Sequence, residues 1–148
     1  MKRIIVSGGF DPIHYGHVRL IHDARLNANY VIIIMNNDNW LKKKKGFNFM
    51  PETERKEILE ALRDVSEVII TKHIPDSKDP SVCNELKELK SKYPDDELIF
   101  ANGGDRKADN IPEYTLCNEL GIEMLFNIGG EKLQSSSDLV KKAKKENL

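Results

Sequence analysis

This chain has little of what marks several common classes of protein. Its two cysteines, Cys83 and Cys117, do not have the spacing of metal ligands, so we expect a reduced, cytoplasmic chain. No apolar run approaches the roughly 20 residues that a membrane-spanning helix needs. The 23 basic and 24 acidic residues leave a net charge of -1. That balance argues against a general binder of nucleic acid or of membrane surfaces, which would carry a basic excess.

Short apolar runs alternate with segments of helical periodicity along the 148 residues. The run 31–34 (Val-Ile-Ile-Ile) is continuous, which indicates a strand buried on both faces, as in a parallel sheet. We therefore expect a single α/β domain over residues 1–148, with a Rossmann-like, doubly wound, parallel five-stranded sheet. The periodicity predicts strands at 3–6, 30–35, 68–71, 98–101 and 123–126, and helices at 17–27, 52–63, 80–92, 112–120 and 137–146.

The stretch from residue 7 to residue 17 joins the first predicted strand to the first predicted helix. Its glycine pair, Gly8-Gly9, lets backbone N–H groups approach a ligand closely, and the helix N-terminus that follows favours an anion. His14 and His17 can add hydrogen bonds to phosphate oxygens. Neither G-x-x-x-x-G-K-[ST] nor G-x-G-x-x-G is present, so we expect a phosphate-binding loop of another kind.

Two neighbours of the histidines have competing interpretations. Asp11 could position a metal ion or orient His14, or it could only stabilise the turn. His22 comes five residues after His17 and so faces another side of the helix. We expect His22 to be a surface histidine.

The segment 8–12 (Gly-Gly-Phe-Asp-Pro) followed by His14-x-Gly16-His17 resembles the signature of the cytidylyltransferase-like nucleotidyltransferase superfamily. That superfamily includes glycerol-3-phosphate cytidylyltransferase and heptose-1-phosphate adenylyltransferase. Its usual motif has Thr or Ser where this chain has Gly9. The resemblance implies that His14 and His17 are catalytic and stabilise the α-phosphate. It also implies a nucleotide- and phosphate-binding loop made by Gly8, Gly9, Phe10 and Asp11.

Four consecutive lysines, Lys42, Lys43, Lys44 and Lys45, come after the second predicted strand. The simplest interpretation is a solvated basic loop. The resemblance implies instead that Lys44 or Lys45 is catalytic and neutralises the leaving pyrophosphate. Arg55 matches an arginine of the family and is implied to shape the acceptor site. The alternative for Arg55 is a charge partner on the surface of an amphipathic helix.

Two later segments complete the resemblance, which covers residues 3–142. A second glycine pair follows the fourth predicted strand, where an acid and an arginine come next and the loop is implied to line the nucleotide and acceptor. A serine run before the last predicted helix resembles the family's phosphate-binding motif, although Gln134 replaces its isoleucine and Lys132 stands near where an arginine is usual. The implied binding residues in these segments are Gly103, Gly104, Asp105, Arg106, Ser135, Ser136 and Ser137.

The resemblance implies a nucleotidyltransferase that moves a nucleoside monophosphate from CTP or ATP to a phosphorylated small molecule and releases pyrophosphate. A sugar or polyol phosphate is the favoured acceptor, and a pantetheine-phosphate-type adenylyltransferase is an alternative. Magnesium is implied to accompany the triphosphate, and a homodimer is compatible with the family. Two other classes remain open: a non-catalytic nucleotide-binding module, and a metal-dependent phosphohydrolase with Asp11, His14 and His17 as ligands.

Overall fold

The computed structural model describes residues 1–103 and 111–128. No helix within these ranges is both long and apolar enough to cross a membrane. The predicted helix 137–146 lies outside them. The described elements are β1 (Lys2–Gly8), α1 (Tyr15–Leu26), β2 (Tyr30–Met35), α2 (Asp38–Lys45), α3 (Glu52–Glu60), β3 (Glu67–Ile70), α4 (Cys83–Lys92), β4 (Glu97–Gly103), α5 (Tyr114–Leu120) and β5 (Glu123–Ile128).

The five strands form one sheet in the order β3-β2-β1-β4-β5, and every neighbouring pair is parallel. The predicted parallel α/β sheet is therefore confirmed. The strand order reverses between β1 and β4, whose register pairs Val6 with Ala101. In open sheets of this kind ligands bind at the carboxyl edge beside such a switch point. The topology thus predicts that a ligand would contact the segments that follow β1 and β4.

Both faces of the sheet are covered, which explains the continuous apolar run in β2. Val31 and Ile33 pack in a cluster with residues of α1 and α3, whereas Ile32 and Ile34 pack in a cluster with residues of α4 and α5. All four side chains are fully buried. Because alternate residues face opposite sides of a strand, a strand buried on both faces has no polar alternation in its sequence.

One predicted loop is a helix. Residues 42–45 were expected in a loop, but they form the last turn of α2. The side chain of Asn37 caps this helix by accepting from the Trp40 N–H at 2.9 Å, and Gly46 ends it in the left-handed conformation with φ of 85°. Lysines are favourable at that end because the last carbonyls of a helix are partly negative. Only Leu41 of α2 is buried, so the helix has no apolar periodicity to reveal it.

Candidate active site

Two histidines build the first turn of α1 at the switch point. The Nδ1 atom of His14, the N-cap residue, accepts from the Gly16 N–H at 3.1 Å. The Nδ1 atom of His17 reaches back and accepts from the His14 N–H, also at 3.1 Å. This is a capping box made of imidazoles, and it satisfies backbone donors that a helix start otherwise leaves without partners. The two rings stack with centroids 3.9 Å apart.

These contacts fix which nitrogen of each neutral ring carries the proton. A backbone N–H can only donate, so Nδ1 of both His14 and His17 must be the acceptor form. The proton of each ring is then on Nε2. The first turn of α1 therefore holds two stacked imidazoles whose Nε2–H groups are donors of the kind that bind phosphate oxygens. The predicted partnership of His14 and His17 has a definite geometry here.

The glycine loop is shaped by side chains packed against it. Phe10 has a φ of 52°, is buried, and its ring lies 4.8 Å from that of His17. A Cβ on Gly8 would come within 3.3 Å of the Phe10 ring, and one on Gly9 would come within 2.9 Å of Leu41 Cδ2. The Phe10 side chain is thus a core residue that supports His17, and its predicted contact with phosphate would have to be made by its backbone.

Asp11 anchors a neighbouring loop. Its buried carboxylate accepts from the Phe49 N–H and, at 2.6 Å, from the Met50 N–H. The described contacts thus include neither a bond to His14 nor a metal-type cluster, since no group of three or more His, Cys, Asp or Glu side chains suited to a metal lies among the described residues. Asp11 acts on residues almost forty positions away, so the interpretation as a purely local turn residue is wrong.

Arg55 is buried at the centre of this region. Its side chain is 0% exposed, and Nη1 donates to the carbonyls of Gly9 at 2.8 Å and Asn36 at 2.7 Å. Nε donates to the Met50 carbonyl at 3.0 Å, and Nη2 donates to Asp38 Oδ1 at 2.7 Å. The interpretation of Arg55 as a surface charge partner is wrong. The guanidinium shapes the site from inside, and its predicted contact with the acceptor stays a prediction.

The four lysines do not occupy equivalent positions. Lys45 is half-buried and its Nζ lies 3.3 Å from the Asp11 carbonyl, whereas Lys44 is exposed and Lys43 Nζ donates to the Asp76 carbonyl at 3.1 Å. Burial lowers the pKa of Lys45, and nearby Lys44 and Arg55 lower it further, against the opposing effect of Asp11. The structure therefore places Lys45 beside Asp11, in the loop between β1 and α1, and leaves Lys44 exposed to solvent.

A buried network that the sequence did not predict holds α2 against β3. Thr71 Oγ1 accepts from the Asn37 N–H at 2.9 Å, and the Asn37 side chain donates to the His73 carbonyl at 2.8 Å. The His73 ring bonds to Thr71 Oγ1 and the Ser81 carbonyl and stacks on Trp40, with centroids 4.9 Å apart. The His73 ring thus has a structural role in this network.

His22 lies on the surface, as predicted. Its side chain is 54% exposed and pairs with Asp64 at 3.2 Å. Because it is on the same helix as His17 but outside the site, it offers a matched control for experiments on His14 and His17.

At the end of β4, the described residues include Gly103 but not the rest of the predicted loop. Gly104, Asp105 and Arg106 lie outside the described residues, as do Lys132, Gln134 and the serines Ser135, Ser136 and Ser137. Asn102, which sequence reasoning missed, is buried beside Gly103, and Glu113 is buried at the start of α5. Both carry a buried polar atom that has no hydrogen-bond partner among the described residues.

The fold and this site define an α/β protein with a parallel five-stranded sheet and a stacked histidine pair at its switch point. Residues 5–142 match the cytidylyltransferase-like family. Because that match covers most of the 148 residues, the chain belongs to the cytidylyltransferase-like family of nucleotidyltransferases. This confirms the predicted family.

Individual relatives agree with that assignment. The chain is 37% identical over 70 residues to an FAD synthase of Ferroglobus placidus, covering 47% of this chain and 45% of that protein. It is 33% identical over 86 residues to a glycerol-3-phosphate cytidylyltransferase of Bacillus subtilis, covering 58% and 67%. The matches thus span about half to two thirds of the length of these curated relatives.

Two solved structures have the same fold at low identity. A lipopolysaccharide core biosynthesis protein of Thermoplasma volcanium superposes with a TM-score of 0.65 at 17% identity, over 86% of this chain and 96% of that one. A putative nicotinate-nucleotide adenylyltransferase of Vibrio parahaemolyticus also gives 0.65, at 16% identity, over 99% and 88%. These likenesses support the Rossmann-like architecture.

Proposed function

We propose that this chain transfers a nucleoside monophosphate from CTP or ATP to a phosphorylated small molecule and releases pyrophosphate. The observation that carries the proposal is the imidazole capping box: His14 and His17 stack at the N-terminus of α1 with their Nδ1 atoms engaged by backbone N–H groups. A helix N-terminus attracts an anion, and two Nε2–H donors beside it suit the α-phosphate.

In the proposed reaction an oxygen of the acceptor phosphate attacks the α-phosphorus. A new oxygen–phosphorus bond forms as the bond from the α-phosphorus to the bridging oxygen of the β-phosphate breaks, and the electron pair leaves with pyrophosphate. No covalent enzyme intermediate is needed, because the acceptor phosphate is already a nucleophile. The protein contributes positioning and charge stabilisation.

Each described group has a part in this proposal. His14 and His17 hydrogen-bond the α-phosphate as negative charge spreads over its oxygens. Lys45 neutralises the leaving group, because its ammonium is half-buried beside the Asp11 carbonyl and a charge in a partly desolvated place acts more strongly than one in water. Arg55 fixes the loop after β1 by donating to the Gly9 carbonyl, and Asp11 fixes the segment after α2 by accepting from the Phe49 N–H. Lys44 has a weaker case, because its side chain is exposed.

Magnesium would accompany the triphosphate. Phosphate oxygens and water are its usual ligands in such sites. The described residues offer no three-residue cluster for a metal, and the Asp11 carboxylate already accepts two N–H groups. The described residues therefore do not fit a protein-held metal. The phosphohydrolase alternative needs such a cluster and finds no support in the described part of the chain.

The choice of acceptor and base is supported by the names of the relatives. The name glycerol-3-phosphate cytidylyltransferase supports a polyol phosphate and CTP. The name FAD synthase supports ATP, since FAD contains an adenosine monophosphate unit. We favour a sugar or polyol phosphate as the acceptor. The pantetheine-phosphate alternative depended on Ser135 to Ser137, which lie outside the described residues.

The proposal is tested by thermal stabilisation with CTP, ATP, GTP and UTP, each with magnesium. A triphosphate at one hundred times its Kd should stabilise the folded chain by about 2.7 kcal/mol. His17→Asn keeps an oxygen where Nδ1 caps the helix but removes the Nε2 donor, so we expect affinity to fall roughly 10- to 100-fold. His22→Asn is the control and should bind like the wild type.

Pyrophosphate release then separates an enzyme from a binding module. The triphosphate that stabilises best is incubated with glycerol 3-phosphate, sugar phosphates and flavin mononucleotide in turn. Release with one acceptor, lost in His17→Asn, supports the transferase. Binding without release from any acceptor would favour the non-catalytic module. Failure of all four triphosphates to raise the melting temperature would contradict the proposal.

A further inference from the structure

Asn102 is an anomaly at the switch point. It is the residue before the last of β4, it is only 4% exposed, and its Nδ2 has no hydrogen-bond partner among the described residues. A buried amide donor without an acceptor costs free energy that an apolar residue of the same shape would not cost. Buried polar groups in native proteins are almost always hydrogen-bonded, so a bound ligand is one source of the missing acceptor at this ligand-side position.

Glu113 has the complementary anomaly. It lies just before α5, is 3% exposed, and uses only half of its carboxylate: Oε1 accepts from the Val82 N–H at 3.1 Å. Oε2 is buried and has no hydrogen-bond partner among the described residues. A buried carboxylate oxygen is a strong acceptor, and leaving it without a donor is still more costly than leaving an amide.

Topology places these two residues at the same edge and on the same face. β4 ends at the carboxyl edge, and α5 begins there because its connection follows that strand. Phe100 of β4 packs in the cluster that also contains Ile111 and Cys117. The irregular register between β4 and β5 has its extra residue in β5, where Ala101 pairs with Leu125 and Gly103 with Ile128. Alternation along β4 therefore puts Asn102 on the face of Phe100, which is the face of Glu113.

We propose that Asn102 and Glu113 select the nucleobase, and that they accept bases that carry an exocyclic amine next to an unprotonated ring nitrogen. The inference rests on the proposed function and names its nucleotide class. Cytosine and adenine present that donor–acceptor pair: the amine donates to Glu113 Oε2, and the ring nitrogen accepts from Asn102 Nδ2. Carboxylates and amide side chains recognise the same two bases in nucleic acids.

Uracil and guanine present the reverse pattern, a carbonyl oxygen next to a ring N–H. Against this pair of residues a carbonyl oxygen would face Oε2 of Glu113, and a ring N–H would face the amide hydrogens of Asn102. Both contacts are repulsive and leave buried polar groups without partners, which discriminates more strongly than a missing apolar contact. Both atoms are shielded from solvent, so the base must displace the groups that cover them.

The test is a swap of the two patterns. Asn102→Asp puts an acceptor where the donor was, and Glu113→Gln puts a donor at Oε2 while its oxygen still accepts from the Val82 N–H. Dissociation constants for CTP, ATP, UTP and GTP are measured for the wild type, each single variant and the double variant. We expect the wild type to bind CTP or ATP at least 100-fold more tightly than UTP and GTP, and the double variant to reverse that preference.

A second variant separates recognition from structure. Asn102→Leu has the same branching as asparagine but no donor. If the Asn102 amide binds the base, Asn102→Leu should keep a urea midpoint at or above that of the wild type. Its affinity for the preferred triphosphate should fall tenfold or more. If the amide is structural, the midpoint falls and affinity does not. If overpacking by leucine lowers both the urea midpoint and the affinity, the base preference of the Asn102→Asp, Glu113→Gln double variant decides between the two roles.

The failures of the two ideas are distinguishable. Wild-type binding of all four triphosphates with equal affinity, or a double variant with wild-type preference, overturns the base-selection proposal and leaves the transferase standing. Wild-type binding of none of them overturns the proposed function and this inference with it. A reversed preference has no structural explanation other than contact with the base.

Discussion

The two edges of the sheet are built in opposite ways. At the amino edge, the Arg3 guanidinium lies between the rings of Tyr30 and Tyr93, 4.4 Å and 3.8 Å from their centroids, and its Nε donates to Asp96 at 2.7 Å. Glu67 accepts from Lys92 at 2.6 Å and from the Tyr93 hydroxyl at 2.7 Å. Each of these charges has its partner inside the chain.

At the carboxyl edge, polar groups are deeper and less completely paired. The backbone is strained at Phe10, a guanidinium and a carboxylate are buried to hold loops, and Asn102 and Glu113 keep buried atoms without partners in the described residues. Burial, with Glu88 and Asp79 nearby, also raises the pKa of Glu85 in the first turn of α4 to about 7.

The contrast separates stability from function. Charges at the amino edge lower each other's energy, whereas groups at the carboxyl edge bear costs that only a ligand or a fixed loop geometry justifies. Variants at the amino edge should therefore change stability alone. Variants at the carboxyl edge should change binding and catalysis as well, or should even stabilise the chain.

The largest effect is expected at Arg55. Arg55→Met leaves three carbonyls and the Asp38 carboxylate without their donor, so the free energy of unfolding should fall by about 3–5 kcal/mol in urea titrations. Arg55→Lys should recover only part of it, because an ammonium cannot reproduce the planar fork. Exposed Arg63→Met is the control and should be nearly neutral. Equal effects at the two positions would contradict the positioning role.

The next effect is expected at Asp11. In Asp11→Asn the amide can accept from one of the two N–H groups of Phe49 and Met50 but opposes the other with a donor, which should cost about 1–3 kcal/mol. Because this loop follows Lys45, the rate of pyrophosphate release should also fall. Asp95→Asn, an exposed change, serves as the reference. A stable variant with wild-type kinetics would show that the anchor is dispensable.

Glu85→Gln tests the cost of a buried acid. The raised pKa means that between about pH 4.5 and 7 the folded chain holds a proton that the unfolded chain releases, so the free energy of unfolding falls as pH rises through that window. Glutamine removes this loss and should stabilise the chain above pH 7 by about 1–3 kcal/mol. Unfolding measured at pH 4 and pH 8 checks it, with Glu119→Gln, a change at an exposed position of α5, as the control.

The smallest effect is expected at Arg3. Arg3→Lys keeps the charge but loses the stacked, planar contact with Tyr30 and Tyr93, so the free energy of unfolding should fall by about 1 kcal/mol. Triphosphate affinity and turnover, measured at a temperature where both proteins are folded, should not change. A kinetic defect in this variant would break the division between the two edges.

A second check at the amino edge uses acid. Although burial alone would raise the pKa of Glu67, hydrogen bonds from Lys92 and Tyr93 hold it below its ordinary value. A lowered carboxylate pKa contributes stability above about pH 4.5 that is lost as pH falls through the folded-state pKa. Glu67→Gln should therefore flatten the acid limb of the stability curve, which urea titrations below pH 5 would show.

The strands and their parallel pairing were predictable, because a strand buried on both faces has a continuous apolar run such as 31–34. Helix α2 was not, since its four consecutive lysines carry no periodicity and its capping by Asn37 depends on the neighbouring Thr71. The histidine pair was predictable from a local motif. The roles of Arg55 and Asp11 were not, because their partners lie up to 46 residues away in the chain.

Asn102 illustrates a different limit. Its residue type and position in a strand are unremarkable in the sequence, and only burial without a partner marks it. Lys45 could not be chosen over Lys44 for a similar reason. Which of the two adjacent lysines faces Asp11 depends on the rotation of helix α2, and the sequence did not predict that helix.

The close contact between Gly9 and Leu41 has a consequence for how such a chain can change. A side chain at position 9 would need the space that Leu41 Cδ2 now fills at 2.9 Å. Placing the family's usual Ser or Thr there would therefore require the Leu41 Cδ2 methyl to shift, or a smaller residue at position 41. The two positions form an epistatic pair: the order of the substitutions decides whether each intermediate sequence keeps helix α2, and with it Lys45, in place.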